Sequence, residues 1–486
     1  MSSIVSCYNF LVKWFSKSIL PALFICLLFF AAYSTLSVVR HNHFGSGYDL
    51  AIADQVVWEY SRFQAPITTV QSYSFSSLLT DHVEIIYAII SPFYWIWSDA
   101  RMLLLLQAFL ITFSGVPIFL LAKKRKIHTL VSYALLISYL AFYGIQNAIW
   151  ADAHSVVFGA SFLSWLLYFL ESKKNKLTIL VFGLAILSKE NIAGITALIG
   201  VVYFLSSRRK IGLYIALASI SYLLIIFGLY FPRFTHDGYR YGSPNGLESM
   251  INPYYFADTD LKQKVLAYSF SWFGFLPIFS PLALVPAIAD LYSYFVAANH
   301  LRASHELVQH YRVTLAALMI WPTIIAISKY KFFNKSWIGI YLLLFACMVQ
   351  FMLHLPLSYL TKEWFWIEPR SVIHINKLIE DLPKNVSVVS QNNITPHLSH
   401  RELVFTLFPT KKSFKDNSLC SARECQWFAW AGKPKYLIVD TSPGWDLRHF
   451  LTTRDEFMSG LENMERAGYL KKYRSSGDAV IYLIQE

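Results

Sequence analysis

The sequence predicts an α-helical polytopic membrane protein with a C-terminal soluble α/β domain, and three observations carry that prediction. Of 486 residues, 55% are hydrophobic and 17% aromatic, but only 15% are charged, against roughly 25% in an ordinary soluble domain. The mean hydropathy is +0.42, and most of the chain before Leu360 lies in apolar runs of about the 20 residues that cross a bilayer. After Leu360 the pattern changes to short alternating apolar stretches interleaved with helical ones. The first two observations exclude a soluble enzyme.

The net charge of +12 is distributed as short clusters beside apolar runs: Lys123, Lys124, Arg125 and Lys126; Lys173, Lys174 and Lys176; Arg208, Arg209 and Lys210. Lys and Arg near helix ends mark the cytoplasmic side. A nucleic-acid partner would need a continuous basic surface, and spans separate these clusters, so no nucleic acid is expected. The first run, Ile19 to Val39, follows Lys13 and Lys17 and is too long for a signal-peptide core. It reads as an anchor with the N-terminus in the cytoplasm.

Charge then orders the spans. Residues 40–100 form a first external loop. Within it His82 to Trp97 is short, carries Pro92 and ends in Trp95 and Trp97, which suits a helix lying in the interface. Met102 to Leu121 enters, Thr129 to Ile145 exits, and Ser155 to Leu170 enters. Leu177 to Leu187 and Ile192 to Leu205 form a short hairpin with Lys189 and Glu190 at its outward tip, and Ile211 to Phe231 exits again. Residues 232–265 make a second external loop containing the turn sequence Tyr241 to Gly246. Leu266 to Ala298, broken by Pro277, Pro281 and Pro286, reads as two short spans; Val313 to Ile327 enters and Trp337 to Leu355 exits. The expected count is about eleven crossings, giving a multi-span membrane domain at 1–360 and an extracytoplasmic α/β domain at 361–486. The expected location is the inner (plasma) membrane. Of five cysteines, only Cys420 and Cys425 share the external domain; a disulfide and two free thiols both stay open.

The ionisable residues that could carry chemistry gather at outward-facing places: Asp49, Asp54, Glu59, Asp81, His82 and Glu84 in the first loop; Asp152 and His154 in the next; Lys189 and Glu190 at the hairpin tip; then His305, Glu306, His310, Tyr311 and Arg312. Charges placed so near the bilayer are costly, and their convergence points to a cavity open to the outer leaflet. Tyr48 to Trp58 reads as an amphipathic interfacial helix, with Asp49 either an N-cap after Gly45-Ser46-Gly47 or a catalytic base. Asp81 and Asp152 have the same two readings. Lys189 and Glu190 either pair with each other or line water. No phosphate loop, zinc-protease motif or nucleophile elbow occurs. Mixed carboxylates and imidazoles are ligands that Mg²⁺ or Mn²⁺ accepts, although no spacing specifies a metal site.

In order along the chain, Tyr-Asp-Leu-x-x-x-Asp-Gln-x-x-Trp at Tyr48 to Trp58, Asp81-His82, Leu-Leu-Leu-Gln-Ala at Leu104 to Ala108, Asp-x-His at Asp152 to His154, Lys189-Glu190, His310-Tyr311 and the stretch Val386 to Arg401 form an ordered set. The set resembles a bacterial family of predicted polytopic membrane proteins of unknown function whose members look similar to GT-C-type glycosyltransferases. The resemblance implies a GT-C-like helical fold, juxtamembrane helices in the first external loop, and a lipid-linked sugar as donor. Carried over, Asp49 matches the first-loop acid, with Asp54 its competitor; Asp152 matches the second-loop acid, and Lys189 the lysine after the short fifth span. Asp49, Asp152 and Lys189 are thus the expected catalytic residues. Asp54, Asp81, His82, His154, Glu190, His310 and Tyr311 are the expected substrate-binding ones.

Independently of the resemblance, an activated sugar outside the cytoplasm must arrive on a polyprenyl phosphate. Inverting transfer from it needs a carboxylate for the acceptor's proton and a cation or metal for the leaving phosphate. The expected partners are therefore membrane lipids, a lipid-linked sugar donor, and a glycan or lipid acceptor. A transporter or flippase of a lipid-linked or small substrate is the alternative, using the same charges as a path. An external domain that does the binding, with the spans as anchor, is the third reading.

Overall fold

The computed structural model describes residues 18–70, 76–235, 239, 258–296, 305–407, 434–442 and 454–485. The turn at Tyr241 to Gly246 and the pair Cys420 and Cys425 lie outside these residues. Cys26 and Cys347 are free thiols. The chain forms two compact units, one of Met1–Ser37, Asp81–Ile86 and Leu105–Leu360, the other of Val38–Thr80, Tyr87–Leu104 and Thr361–Glu486. One boundary of these units falls between Leu360 and Thr361, and the unit that holds the C-terminal sheet also takes in most of residues 40–100.

Among the described residues, seven helices are long and apolar enough to cross a membrane: Ile19–Asn42, Ala100–Lys124, Thr129–Trp150, Glu190–Ser207, Lys210–Phe234, Gln309–Lys329 and Ser336–Leu353. The shorter apolar helices are Ile86–Trp95, Ser155–Glu171, Asn175–Ile186 and Pro281–Phe295, so seven helices of spanning length stand against the eleven crossings expected. Two boundaries differ from expectation. The helix after the second loop begins at Thr259 rather than Leu266, because a polar first turn, Thr-Asp-Leu-Lys, is helical although it carries no hydropathy signal. The second arm of the hairpin runs 18 residues and starts at Glu190 itself, so Glu190 opens a helix instead of sitting in a turn.

Small residues set the packing of the helical unit. A Cβ at Gly200 would stand 2.6 Å from the Gly212 carbonyl oxygen, and one at Gly212 would stand 2.6 Å from that of Gly200, so helices Glu190–Ser207 and Lys210–Ile225 touch backbone to backbone. Arg208, left-handed at φ 57°, closes the turn between them. Helix Val313–Lys329 is buried along nearly its whole length despite Pro322.

In the second unit a two-residue antiparallel ladder joins β1 (Ile67–Thr68) to β2 (Ser76–Ser77). The main sheet comprises β3 (Val388–Ser390), β4 (Val404–Thr406), β5 (Tyr436–Asp440), β6 (Leu470–Ser476) and β7 (Ala479–Ile484) in the order β4-β3-β5-β7-β6. β3 pairs in parallel with both β4 and β5, whereas β5, β7 and β6 are antiparallel. Val389, Phe405, Leu437 and Val439 pack against Phe457, Leu461 and Met464 of helix Arg454–Arg466. β6, Leu-Lys-Lys-Tyr-Arg-Ser-Ser, has no apolar alternation; its charges suit an edge strand.

Helix Tyr48–Ser61 does not lie on a membrane surface as an amphipathic strip. Every residue from Leu50 to Val57 is buried, Asp54 and Gln55 included, which is the signature of a helix enclosed by protein. Gln55 earns its burial by bonding: its Oε1 accepts from Thr68 Oγ1 and Thr69 N, both at 2.9 Å, and its Nε2 donates to the Arg401 carbonyl at 2.8 Å. Thr69 Oγ1 then donates to the Val404 carbonyl of β4 at 2.7 Å. The apolar surface is carried instead by the segment that follows. Phe63 is 83% exposed and Ile96 80% exposed, Phe63 stacks near Trp95 at 5.9 Å, and the short helix Ile86–Ile90 with its 3₁₀ extension Ser91–Trp95 is too short to cross a bilayer.

Candidate functional site

Several ionisable residues of the helical unit meet around Lys189 and Glu190. Glu190, fully buried, opens its helix; its Oε1 lies 2.8 Å from His82 Nδ1 and accepts from Tyr239 OH at 2.9 Å, and its Oε2 accepts from the Val83 backbone N–H at 3.1 Å. Lys189 Nζ stands 3.5 Å from Glu84 Oε1, which also accepts from Ser155 Oγ at 2.5 Å. The two charges at the hairpin tip therefore do not pair with each other; each finds a carboxylate or imidazole from the Asp81–Ile86 segment. Burial disfavours the Lys189 ammonium, but Glu84, Glu190 and Asp81 outweigh it and hold its pKa above the ordinary value.

His154 and His310 adjoin this group. Their rings stack with centroids 3.7 Å apart, His154 Nδ1 donates to the Asp152 carbonyl at 2.8 Å, and His310 lies within electrostatic reach of Lys189 and His82. Tyr311 lies against His310 at 4.5 Å and Tyr294 at 5.6 Å. Arg312 is completely buried, set over the rings of Tyr294 and Phe295 at 5.0 and 5.5 Å. Asp290, bonded by Thr314 at 2.8 Å, is within its charge field. Asp290 escaped the sequence reading, although a lone acid in an apolar run signals such a site. The capping readings are corrected. His154, not Asp152, holds the N-cap position before Ser155, and Asp81 lies five residues before the helix that starts at Ile86. Non-helical residues separate both aspartates from the first helical turn, His154 being extended at φ −130°.

The second unit holds a separate arrangement around Asp54, which is 1% exposed. Tyr94 OH donates to Asp54 Oδ1 and Ser399 Oγ to Asp54 Oδ2. His400 Nε2 stands 3.0 Å from Oδ2, off the ideal hydrogen-bond direction. The His400 ring lies parallel to Trp58 at 5.5 Å. Burial lowers its pKa, and the Asp54 carboxylate more than reverses this, so His400 titrates above the ordinary histidine value. The same burial and the Asp54 charge push the Tyr94 phenol far up, so Tyr94 is a permanent donor. Asp54, Ser399 and His400 open onto a cavity of about 760 Å³ whose wall also includes Asp99, Arg101 and His397.

Asp49 does not line this cavity. It sits half-buried in the first turn of Tyr48–Ser61, whose N-cap is Gly47 rather than an aspartate. Asn392 supplies the cap from outside the helix, its Oδ1 accepting from Tyr48 N at 2.7 Å. The side chains that sequence reasoning missed here are Ser399, His400 and Tyr94; the stretch Thr395 to Arg401, rich in Ser and His before β4, was the signal. Among the described residues, no group of three or more His, Cys, Asp or Glu is placed to hold a metal ion.

No curated protein matches the chain. Residues 40–449 match a family described as predicted membrane proteins. That span includes every residue of both clusters, from Asp49 and Asp54 to Ser399 and His400, and covers well over half of the sequence. The chain therefore belongs to the predicted membrane protein family DUF2079.

Proposed function

We propose that this protein is a GT-C-like membrane glycosyltransferase, moving a sugar from a polyprenyl-phosphate carrier to a lipid or cell-envelope glycan on the outer face of the membrane. The observation that supports this reading is the buried Asp54 carboxylate at the wall of a polar cavity, fixed by two hydroxyl donors and flanked by His400. A carboxylate so held is oriented in advance of the reaction. The lipid part of the reading rests on Phe93, Trp95 and Ile96, all exposed and apolar, which directly precede the cavity residues Ser98–Arg101. Such a surface accommodates an apolar lipid chain at the edge of a polar cavity.

In the step itself, the acceptor oxygen attacks the anomeric carbon while the bond from that carbon to the phosphate oxygen breaks. The phosphate leaves with the electron pair, and the acceptor's proton passes to an Asp54 oxygen. His400, cationic below its raised pKa, balances the charge next to that carboxylate. Asp54 replaces Asp49 as the proposed base because Asp54 lines the cavity. Lys189, 3.5 Å from Glu84 Oε1, keeps the proposed role of an anion-binding group in the helical unit.

The test is mass spectrometry of polyprenyl-phosphate lipids from cells lacking the protein, complemented with wild type, Asp54→Asn or Asp49→Asn. A lipid-phosphate sugar that accumulates without the protein, is consumed by wild type and by Asp49→Asn, and persists with Asp54→Asn is expected. General-base removal costs roughly 10²–10⁴-fold in rate. Lipid pools that never change while folded protein is present would sink the reading and favour the transporter or flippase instead.

A further inference from the structure

We infer that the cavity beside Asp54 takes a neutral, hydroxyl-rich carbohydrate, the sugar of the acceptor, and not the phosphate of the donor. The inference rests on the transferase reading and adds the chemical class that this cavity recognises.

A phosphate site needs N–H groups free to face the ligand, and Arg101, Arg401 and His400 of this wall are already engaged, while Lys384 is an exposed cation of the same lining. Arg101 commits Nε and Nη2 to Asp99 at 2.7 and 2.6 Å. Arg401 turns Nη1 onto the carbonyls of Pro383, Lys384 and Val386 at 2.5, 2.8 and 3.4 Å. His400 is held by Asp54. Glu368 and Glu380 add further carboxylates to the lining, which repel a dianion and accept bonds from hydroxyl groups.

Other residues of the lining favour the same ligand. His397 is sandwiched by the rings of His41 at 4.2 Å and Phe44 at 3.9 Å. Burial, with His41 and Arg101 nearby, keeps His397 far below the ordinary histidine pKa, and one ring nitrogen bonds the His41 backbone. Its Nε2 is buried and has no hydrogen-bond partner among the described residues. Asn42 and Asn376 in the same lining both donate and accept. Sugar hydroxyls do likewise, and a cavity of about 760 Å³ lies within the roughly 300–1,000 Å³ of small-molecule sites.

The experiment uses the full chain in detergent and follows intrinsic tryptophan fluorescence, since Trp58 stacks on His400. The probes are maltose, cellobiose, chitobiose, glucose 1-phosphate and farnesyl phosphate. At least one neutral disaccharide should saturate, and Asn376→Trp, on an exposed helical position at the cavity wall, should weaken it at least tenfold with an unchanged melting temperature. Tighter binding of glucose 1-phosphate or farnesyl phosphate than of every disaccharide overturns the inference, as does the absence of saturation by any of the three. If lipid pools fail to respond in cells but disaccharide binding and its loss in Asn376→Trp persist, the transferase reading fails and the carbohydrate site stands. If the pools respond but no disaccharide binds, the carbohydrate site alone fails.

Discussion

The Lys189–Glu190 cluster of the helical unit and the Asp54 cluster of the second unit use the same kinds of residue to opposite ends. Around Glu190, both carboxylate oxygens are engaged by an imidazole, a phenol and a backbone N–H, and Lys189 shares Glu84 with Ser155. Around Asp54 the partners are as many, but one side opens on a cavity. A charge that is buried and fully paired is costly to disturb, whereas one that is buried and open to a cavity is available to a ligand. What the contacts around Asp54 add is a cavity wall, and motif spacing is blind to it.

The largest effect expected from breaking this comparison is at Glu190. Glu190→Ala leaves His82 and the Val83 N–H without their acceptor, which should cost about 3–5 kcal/mol and lower the melting temperature in detergent sharply. Glu190→Gln keeps an oxygen for Val83 N and should recover part of the loss. If both variants melt like wild type, the network is not structural and its charges are free for chemistry. A smaller effect is expected at Gly144, where a Cβ would stand 2.2 Å from the Arg312 carbonyl oxygen. Gly144→Ala must push away the backbone that follows His310 and Tyr311, at about 1–3 kcal/mol by the usual cost of overpacking. An unchanged melting temperature would mean that this segment yields easily.

The Asp54 cluster is sharpened by pH. His400 has a folded pKa above its unfolded value of 6.5, so the folded state binds its proton more tightly. Its contribution to stability is complete below about 6.5 and fades as pH rises through the raised folded value. Wild-type melting temperature should therefore fall over that interval by more than that of His400→Asn. Parallel pH profiles for the two would remove the His400–Asp54 coupling.

Much of this was legible in the sequence. Apolar runs located the long helices because hydropathy reports burial in lipid and in protein alike, and alternation located β3, β4, β5 and β7. β6 was invisible because an edge strand of Lys, Tyr, Arg and Ser has neither alternation nor apolar content. The gathering of His82, Lys189, Glu190, His154 and His310 was readable, because their charges are too costly near a bilayer to stand apart. A cavity was expected from the converging charges, but the part that Ser399 and His400 play in its wall was not readable. Ser399 and His400 reach Asp54 across 345 and 346 positions of sequence, through the loop that leaves β3 and returns as β4. Nor was the enclosure of Tyr48–Ser61, since Ala51, Ala53 and Val56 pattern alike against lipid and against protein.

The smallest effect separates the two first-loop aspartates. Asp49 lies in the first turn of a helix whose free N–H groups carry partial positive charge, so its carboxylate contributes about 0.3–1 kcal/mol. Asp49→Asn removes the charge but keeps the shape, and should lower the melting temperature by only a few degrees while leaving lipid pools at wild-type levels. Asp54→Asn also keeps the shape, and an oxygen for Tyr94 or Ser399, yet it removes the group that takes a proton. Equal melting temperatures with unequal turnover would therefore assign the difference to chemistry, because the two substitutions are identical and stand five residues apart on one helix. Turnover lost in Asp49→Asn and retained in Asp54→Asn would move the base to the helix start and leave the cavity without its acid.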